Sequence, residues 1–447
     1  MGKLLAGASI KNITPSPTML DAVNADGRYG YTGIADELFC RVTVLSDGAQ
    51  HFVLIASDLS RFPLPREFLA QVQARYGVDE AHLLVGGTRS HNTVSYKRSA
   101  CYADFMPGEL LYYTYVHQRA LEAIGEAIAR LVPARIGAAV GESRINTGRE
   151  WVTPIGTLEA PNHRDGRATR LRVVKVEALT GETLSVLVNY SMHCILLCWN
   201  DTTGECRQVS GDVGGAVSRF VERWGKHTFP CGWTVGGGAD RIPLIFSGLE
   251  RVDVNDDGQF YFQRQVLPIA AARMLLRQFA CEQGMDVLRT LESIQDWSEE
   301  FDYFFAKTAR DVDAKTGFQE QIAAQRAPDD PDALRYVPGM DVTPRKADAP
   351  LHYVYRLAVL DGIAFAGVNG VPYSANYEKM ADQMPAAVTL LFDDCYGTLS
   401  SIPAPEEEEA LIYGHSALQS KNFSARQATE AFLDAFQELG QRYRASR

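Results

Sequence analysis

The stretch GGTRSHNT, residues 86–93, places several chemically capable groups directly after an apolar run, AHLLV. His91 can give or take a proton near neutral pH, because an imidazole titrates there. Arg89 can pair with a carboxylate or a phosphate through two parallel hydrogen bonds, and Ser90 adds a hydroxyl group between them. We therefore predict that this stretch forms one wall of an active-site pocket, with Arg89 binding the substrate and His91 acting as acid or base.

Three further polar clusters accompany apolar runs in the same way. Asp58 comes after HFVLIAS, His193 lies inside NYSMHCILL, and Asp240 with Arg241 follows the glycine run of WTVGGG. Ligand sites in α/β proteins usually lie at the carboxyl ends of strands, so we expect the four clusters to converge. Carboxylate and imidazole groups that meet there can perform general acid–base chemistry without a metal ion.

Each of these residues also has an ordinary structural explanation. An aspartate after a strand commonly caps a turn, and a histidine in an apolar strand is commonly a hydrogen-bonded core residue. The glycine run has neither the G-x-G-x-x-G pattern nor the Lys-Ser/Thr pair of nucleotide-binding loops. The stretch DVNDDG, residues 253–258, begins like a calcium loop, but Arg264 stands where an EF-hand needs its last glutamate, which favours a polar turn.

The apolar pattern predicts an α/β fold, with residues 1–447 forming a single large domain of mixed β-sheets flanked by helices. Ser424 and Gln427 have the spacing of a capping box ahead of the last helix. The polar segment 310–350 is predicted to be an excursion and a candidate lid, and Glu406–Glu409 is predicted to open a helix. The predicted strands are 39–46 and 51–58, which form a hairpin, and 82–86, 135–141, 170–178, 184–192, 229–235, 351–360 and 363–369. The predicted helices are 65–76, 109–131, 213–224, 268–283 and 424–440.

The order of these clusters resembles the catalytic domain of the neutral/alkaline, non-lysosomal ceramidase family. The shared order along most of the chain is more specific than any one segment, and it implies the family's α/β catalytic fold and a hydrolytic activity. We expect no C-terminal immunoglobulin-like domain of the kind that full ceramidases carry. The segments that carry the resemblance are GASIKNITPSP, HFVLIASDLS, GGTRSHNT, INTGREW, VLVNYSMHCILL, VSGDVGGAVSRFVE, TVGGGADRIP and FAGVNGVPY.

The resemblance also implies a zinc site from which this chain departs. The family holds zinc with the first His of T-H-T-H, the His of N-x-x-x-H, a Glu in P-G-E and a later Tyr. The matching positions here are Arg89, His193, Val371 and, more loosely, Tyr396, and the family's nucleophilic serine has no counterpart in VGGGAD. Catalytic zinc usually needs three protein ligands, and the fixed charge of an arginine repels a dication. We expect no tightly bound metal cofactor, with zinc on His193 and His91 as the alternative.

These observations predict a ceramidase-like hydrolase with an altered centre, not a true ceramidase. Its substrate is expected to be small and polar, anionic because of the arginines or sugar-like, and the bond cleaved is an amide, an ester or a glycosidic bond, the last suiting paired carboxylates. Two alternatives stay open: a metal-dependent amide or ester hydrolase with a rearranged zinc site, and a non-catalytic homologue that binds a small molecule. The candidate catalytic residues are His91, His193, Asp240, Asp58 and Asp212. The candidate substrate-binding residues are Arg89, Ser90, Arg149, Glu150, Arg241, Asn369 and Tyr373.

Charge and composition bear on partners and location. The 447-residue chain has a formal net charge of −11, which argues against a nucleic-acid partner, because such proteins usually carry a basic patch. No apolar stretch is long enough to span a bilayer, and the first residues, MGKLLAGASIKNITPSP, lack the apolar region of a secretory signal. We therefore expect a cytoplasmic protein with a small-molecule substrate and no membrane partner. Whether it forms a homo-oligomer stays open.

Overall fold

The computed structural model describes residues 2–27, 30–94, 100–153, 156–164, 168–197, 207–245, 249–254, 260–265, 268–316, 326–327, 330–334, 345–405 and 420–447. Within these ranges, none of the helices combines the length and the apolar character that crossing a membrane requires. The α-helices are α1 (Pro17–Ala25), α2 (Arg66–Tyr76), α3 (Pro107–Ala129), α4 (Asp212–Trp224), α5 (Ile269–Glu292), α6 (Ser374–Gln383) and α7 (Ala425–Ala445). Short 3-10 helices span Glu80–His82 and Tyr102–Asp104.

The strands are β1 (Gly2–Lys3), β2 (Leu5–Asn12), β3 (Gly33–Ile34), β4 (Phe39–Ser46), β5 (His51–Ser57), β6 (Leu83–Gly87), β7 (Val132–Glu142), β8 (Asn146–Thr153), β9 (Gly156–Asn162), β10 (Arg170–Ala178), β11 (Thr183–Tyr190), β12 (Gln208–Val209), β13 (Cys231–Val235), β14 (Arg241–Pro243), β15 (Leu249–Val254), β16 (Phe260–Gln265), β17 (Trp297–Ser298), β18 (Glu300–Phe301), β19 (Tyr303–Val312), β20 (Lys315–Thr316), β21 (Arg326–Ala327), β22 (Asp330–Leu334), β23 (Arg345–Lys346), β24 (Leu351–Leu360), β25 (Ile363–Val368), β26 (Val371–Pro372), β27 (Val388–Phe392) and β28 (Ser401–Ile402).

Two mixed sheets form the centre of the molecule. The larger sheet has the order β13-β11-β10-β7-β2-β4-β5-β6, with β17 beside β7, and the second has the order β19-β24-β25-β27. In the larger sheet β11 runs parallel to β13 and β5 parallel to β6, whereas the neighbouring pairs are antiparallel. In the second sheet β25 and β27 are parallel. Mixed sheets with flanking helices confirm the predicted fold class.

Alternating side chains of β5 show how the layers stack. Val53 and Ile55 belong to the core cluster that includes α1, α2 and α3, whereas Phe52 and Leu54 belong to the cluster that includes the second sheet. This alternation follows from the period of two residues in a strand. The Phe52 ring packs edge-on against Phe365 of β25, with centroids 5.5 Å apart. The two sheets therefore pack face to face through apolar side chains.

Helices cover the outer face of each sheet. Helices α4 and α5 share a core cluster with β10, β11 and β13. Helices α6 and α7 pack on the second sheet, where Phe432 and Phe436 of α7 contact Tyr355 of β24. The result is a helix–sheet–sheet–helix arrangement, in which the strand ends lie between the helical layers.

The structure confirms most of the predicted elements, and helices α5 and α7 continue beyond their predicted ends at residues 283 and 440. Strands β4 and β5 pair as the predicted hairpin, and the Ser424 hydroxyl accepts a hydrogen bond from the Gln427 amide at the start of α7. Helix α5 was predicted to end at residue 283, but it continues to Glu292. A Cβ on Gly284 would lie 2.1 Å from the Phe220 ring, so this glycine permits close contact between α4 and α5 and does not end the helix.

Several predictions concern residues outside the described ranges. Strand β19 continues to Val312, and parts of the predicted excursion 310–350 form the short strands β20 to β23. The rest of that excursion, 317–325, 328–329 and 335–344, lies outside the described residues. The same holds for the predicted helix start at 406–409 and for most of the predicted turn at 253–258.

Candidate functional site

The predicted polar clusters follow strands whose carboxyl ends meet at one edge of the sheets. Strands β5 and β6 are parallel and lead to Asp58 and to the stretch 88–94. Strands β11 and β13 are also parallel and lead to 191–197 and 236–240. Parallel strands place their carboxyl ends together, and the contacts described next join these loops.

Arg89 and His193 form the centre of this cluster. The Arg89 Nη2 atom lies 3.3 Å from His193 Nε2, and His193 Nδ1 lies 2.7 Å from the carbonyl oxygen of Gly238. A carbonyl can only accept, so Nδ1 carries the proton and Nε2 presents its lone pair to the guanidinium. His193 is therefore held as one neutral tautomer that accepts a hydrogen bond from Arg89.

The electrostatics agree with a neutral His193. Burial holds the pKa of His193 well below its usual value, and the nearby positive charges of Arg89 and Arg149, together with His91, lower it further. The hydrogen bond to Gly238 acts in the opposite direction but is a smaller effect. Protonating His193 would place a second cation against Arg89, so this imidazole is a poor proton acceptor at neutral pH.

Two carboxylates balance the charge of Arg89. Arg89 Nη1 donates to Asp394 Oδ2, and Arg89 Nε lies 3.6 Å from Asp393 Oδ2. Arg61 also donates to Asp394. Burial raises the pKa of Asp393 to about 6, although Arg89 and Arg61 oppose the rise. The side chains of Asp393, Asp394 and Arg89 are 3%, 2% and 7% exposed, so this is a buried ionic cluster.

The backbone at this ionic cluster adopts an uncommon conformation. Arg89 has φ 57° and Asp394 has φ 48°, in the left-handed region that residues other than glycine seldom occupy. Such positions cost free energy and cluster at functional sites. The two partners of the central ion pair are thus both held in strained positions.

His91 lies at the solvent-facing side of the cluster. Its ring is edge-on to the His193 ring, with centroids 5.9 Å apart and planes at 84°. His91 is exposed, whereas His193 is buried. Of the two predicted catalytic histidines, His91 is the one that a solute can reach from solvent.

Asp58 and Asp212 are buried and bonded to the protein itself. Asp58 accepts from the Arg41 guanidinium at 2.7 Å and from the Phe39 amide at 2.9 Å. Asp212 accepts from the amides of Leu196 and Leu197, and burial raises its pKa to about 6. Asp212 therefore fastens the loop that carries His193 to the start of α4.

Asp240, Arg241 and Arg149 form a second hydrogen-bonded group. The Asp240 carboxylate accepts from the amide and the hydroxyl of Ser374, both at 2.7 Å, and lies 3.0 Å from Arg241 Nε. Arg149 Nη1 donates to the Ala239 carbonyl at 3.1 Å. Glu150 accepts from the Tyr373 hydroxyl at 3.1 Å. These contacts tie the loop after β13 to the start of α6.

The two remaining predicted residues are placed differently. The Ser90 hydroxyl donates to the Ser210 carbonyl at 2.7 Å, which links the loop of Arg89 to the loop before α4. The Asn369 side chain turns to the backbone of β24, where it accepts from Val354 and donates to His352. The structure therefore brings Arg89, His91 and His193 together, whereas Asn369 makes its contacts with the second sheet. The roles of all the predicted site residues stay predictions.

The sequence reasoning missed Asp393, Asp394 and Arg61. The two aspartates follow the buried strand VTLLF, which is the same pattern that singled out Asp58 after HFVLIAS. That pattern could have identified them. Their pairing with Arg89 could not be predicted locally, because 305 positions separate Arg89 from Asp394.

The residues present do not fit a zinc ion at the family's position. Val371 is a buried apolar residue, and the Tyr396 hydroxyl donates to the carbonyl of Leu83 at 3.0 Å. Leu83 begins β6 and Arg89 follows its end, so about 13 Å of strand separates the two ends. Within the described ranges, no three His, Cys, Asp or Glu residues are grouped as metal ligands.

Comparisons with solved structures find the same fold in ceramidases. One match, "Ceramidase complexed with C2", has a TM-score of 0.68 and 13% identity, and covers 99% of this chain and 76% of that one. Another, neutral ceramidase from Pseudomonas aeruginosa, has a TM-score of 0.66 and 14% identity, and covers 99% of this chain and 75% of that one. No protein-family model and no curated protein matches the sequence. The chain therefore has a ceramidase-like α/β fold over almost its whole length.

Proposed function

We propose that this protein is a ceramidase-like hydrolase in which the Arg89 guanidinium replaces the zinc ion of the family beside His193. The contact between Arg89 Nη2 and His193 Nε2 at 3.3 Å carries the proposal. The resemblance matches both positions to zinc ligands of the family. In this chain Arg89 stands at one of them, and its positive charge lies against His193 at the other. The buried carboxylates around Arg89 support a permanent charge at this place.

Replacing a metal by a guanidinium changes the chemistry. Arg89 can hold an anionic or strongly polar group by hydrogen bonds, but it has no open coordination position at which to activate water. Proton transfer must then come from a side chain that acts as general acid or base. A neutral His193 keeps Arg89 oriented, which makes His193 a positioning residue in this account.

His91 is the group best placed to transfer the proton. It is exposed, it lies edge-on to His193, and an imidazole exchanges protons near neutral pH. Asp58, Asp212 and Asp240 have their carboxylates bonded to arginine, serine or backbone groups. We therefore assign the reaction to His91 and the positioning of its surroundings to these aspartates.

The substrate that fits this centre is small and polar, either anionic or sugar-like. Arg149 acts electrostatically on His193, and Arg241 lies beside Asp240 in the adjoining loop. These guanidinium groups favour a substrate with a carboxylate, a phosphate or several hydroxyl groups. The bond cleaved is an amide, an ester or a glycosidic bond.

A non-catalytic small-molecule-binding protein is the second candidate function. It is favoured by the number of candidate catalytic groups that are already engaged with the protein, namely His193, Asp58, Asp212 and Asp240. Under this alternative, Arg89 and its neighbours bind an anion, and no bond is cleaved.

Activity screening of matched histidine variants separates the two functions. Purified protein is assayed against small anionic amides, esters and glycosides, with His91→Ala, His193→Ala and the control His352→Ala. His352 is exposed and pairs with Asp311 on β19, so its loss should leave activity unchanged. We expect His91→Ala to reduce kcat by roughly 100-fold or more with little change in KM. Turnover that survives in His91→Ala would refute the assigned role, and binding without turnover of any substrate would favour the second candidate.

A further inference from the structure

A cleft between α4 and α5 is lined by four arginines. Arg219 and Arg223 come from α4, and Arg273 and Arg277 come from α5. The members of each pair are four residues apart, so they lie on the same side of their helix. The cleft has a volume of about 260 Å³, and the buried side chains Leu197, Ala216, Leu276 and Ala280 also line it. It thus combines a cationic rim with an apolar floor.

Among the described residues, most of the arginines in this cleft have no carboxylate partner. Arg219 pairs with Asp36 at 2.6 Å, whereas Arg273 donates to the uncharged side chain of Gln208. In the part of the chain that the structure describes, no carboxylate lies within ion-pairing distance of Arg223, Arg273 or Arg277. Three like charges therefore share a concave surface, and an anion bound there would relieve their repulsion.

A second cleft, further along α5, shows the opposite arrangement. Its two arginines each have a carboxylate: Arg144 pairs with Glu142 at 3.3 Å, and Arg289 pairs with Asp286. Glu282 lines the same cleft. The protein as a whole carries a net charge of −11, so carboxylates are abundant. In the α4–α5 cleft, by contrast, Asp36 also lines the surface but pairs with Arg219, so among the described residues the other three arginines have no carboxylate partner.

We propose that the α4–α5 cleft binds a small phosphate monoester with a short apolar tail. Guanidinium groups bind phosphate oxygens in pairs, and the apolar floor would bury the tail. A volume below the usual range of roughly 300–1,000 Å³ for ligand pockets limits the occupant to a small molecule. The site uses none of the residues of the Arg89 cluster, so it stands apart from the proposed hydrolase activity.

The cleft nevertheless lies close to the candidate active site along the chain. Leu197 lines the cleft and is four residues from His193, a distance of at most about 14 Å for an extended chain. Its amide is bonded to Asp212 at the start of α4. An occupant would therefore contact the loop that positions His193.

Isothermal titration calorimetry of the full chain with hexyl phosphate tests the proposal. We expect binding that weakens as salt is added, weaker binding of inorganic phosphate, and none of hexanol. The variant Arg223→Gln/Arg277→Gln should weaken hexyl phosphate binding by roughly tenfold or more. The matched control Arg144→Gln/Arg289→Gln removes the same charge from the second cleft and should leave affinity within about twofold.

Three results would overturn the proposal. The first is no binding of hexyl phosphate at millimolar concentration, and the second is an equal loss of affinity in the control variant. The third concerns the source of the phosphate. If the protein sediments with phosphatidate-containing vesicles in an Arg223- and Arg277-dependent way but does not bind hexyl phosphate, the ligand is a lipid headgroup and not a soluble monoester. Circular dichroism verifies that each variant folds. Arg223 and Arg277 are exposed, so the variant that replaces them should fold normally.

Discussion

At the scale of single residues, Arg89 determines what the candidate site can do. Its guanidinium donates a hydrogen bond to Nε2 of His193, and its positive charge balances the negative charges of the buried Asp393 and Asp394. A residue in this position contributes to stability as well as to any function, because a buried charge that loses its partner is strongly destabilising. Variants at Arg89 must therefore separate the two contributions.

Replacing Arg89 by methionine should destabilise the protein. The change leaves the buried Asp393 carboxylate without its arginine partner and leaves Asp394 paired with Arg61 alone. We expect the free energy of unfolding to fall by about 3–5 kcal/mol, measured by urea denaturation. Arg89→Met/Asp394→Asn should recover part of this loss because it also removes one of the carboxylates. The exposed Arg144→Met is the control and should change stability by less than about 1 kcal/mol. Wild-type stability in Arg89→Met would contradict a buried ionic cluster.

The titration of Asp393 should appear in the pH dependence of stability. Burial raises its pKa to about 6, above the value near 3.9 of an unfolded aspartate. The folded chain binds this proton more tightly, so the contribution of Asp393 to stability is complete below pH ~4 and is lost as the pH rises through about 6. The free energy of unfolding of Asp393→Asn, relative to that of wild type, should therefore rise by roughly 1–3 kcal/mol between pH 4 and pH 7.

Urea denaturation at several pH values measures this difference. The exposed Asp311→Asn, on β19, serves as the control, since its carboxylate is 62% exposed. The free energy of unfolding of the control should change with pH in the same way as that of the wild type. A difference between Asp393→Asn and wild type that does not change with pH would show that this carboxyl titrates normally.

At the scale of elements, the packing of α4 against α5 depends on Gly284. A Cβ at this position would lie 2.1 Å from the Phe220 ring. Gly284→Ala should therefore lower the free energy of unfolding by about 1–3 kcal/mol, although alanine is the better helix former by about 1 kcal/mol. In the Phe220→Ala background the clash is absent, so the same change should be neutral or stabilising. A cost for Gly284→Ala that is unchanged in that background would contradict the contact.

The sequence predicted elements better than it predicted their limits and partners. Alternating apolar residues and the short polar turn identified the β4–β5 hairpin, and the capping residues identified the start of α7, because these signals are local. The predicted end of α5 at residue 283 was wrong, and the role of Gly284 inside the helix is explained only by the Phe220 ring on another helix. A local sequence pattern contains no information about contacts between residues on different helices.

At the scale of the whole molecule, the candidate site is built from contacts between distant segments. Strand-end clusters predicted that Arg89, His91 and His193 would converge, and the structure brings these three together. The four-layer arrangement and the pairing of Arg89 with Asp393 and Asp394 were not predictable, because they depend on the second sheet packing on the first. The fold agrees with that of ceramidases, while the departure from the family's zinc-ligand positions stays a prediction.

The metal content of the purified protein tests the central claim most directly. The protein is prepared without chelators and without nickel resin, and zinc is measured by mass spectrometry in wild type and in His193→Ala. If Arg89 replaces the metal, wild type and variant should both contain far less than one zinc per chain. About one zinc per chain in wild type, lost in His193→Ala, would contradict the account and assign His193 to a rebuilt metal site.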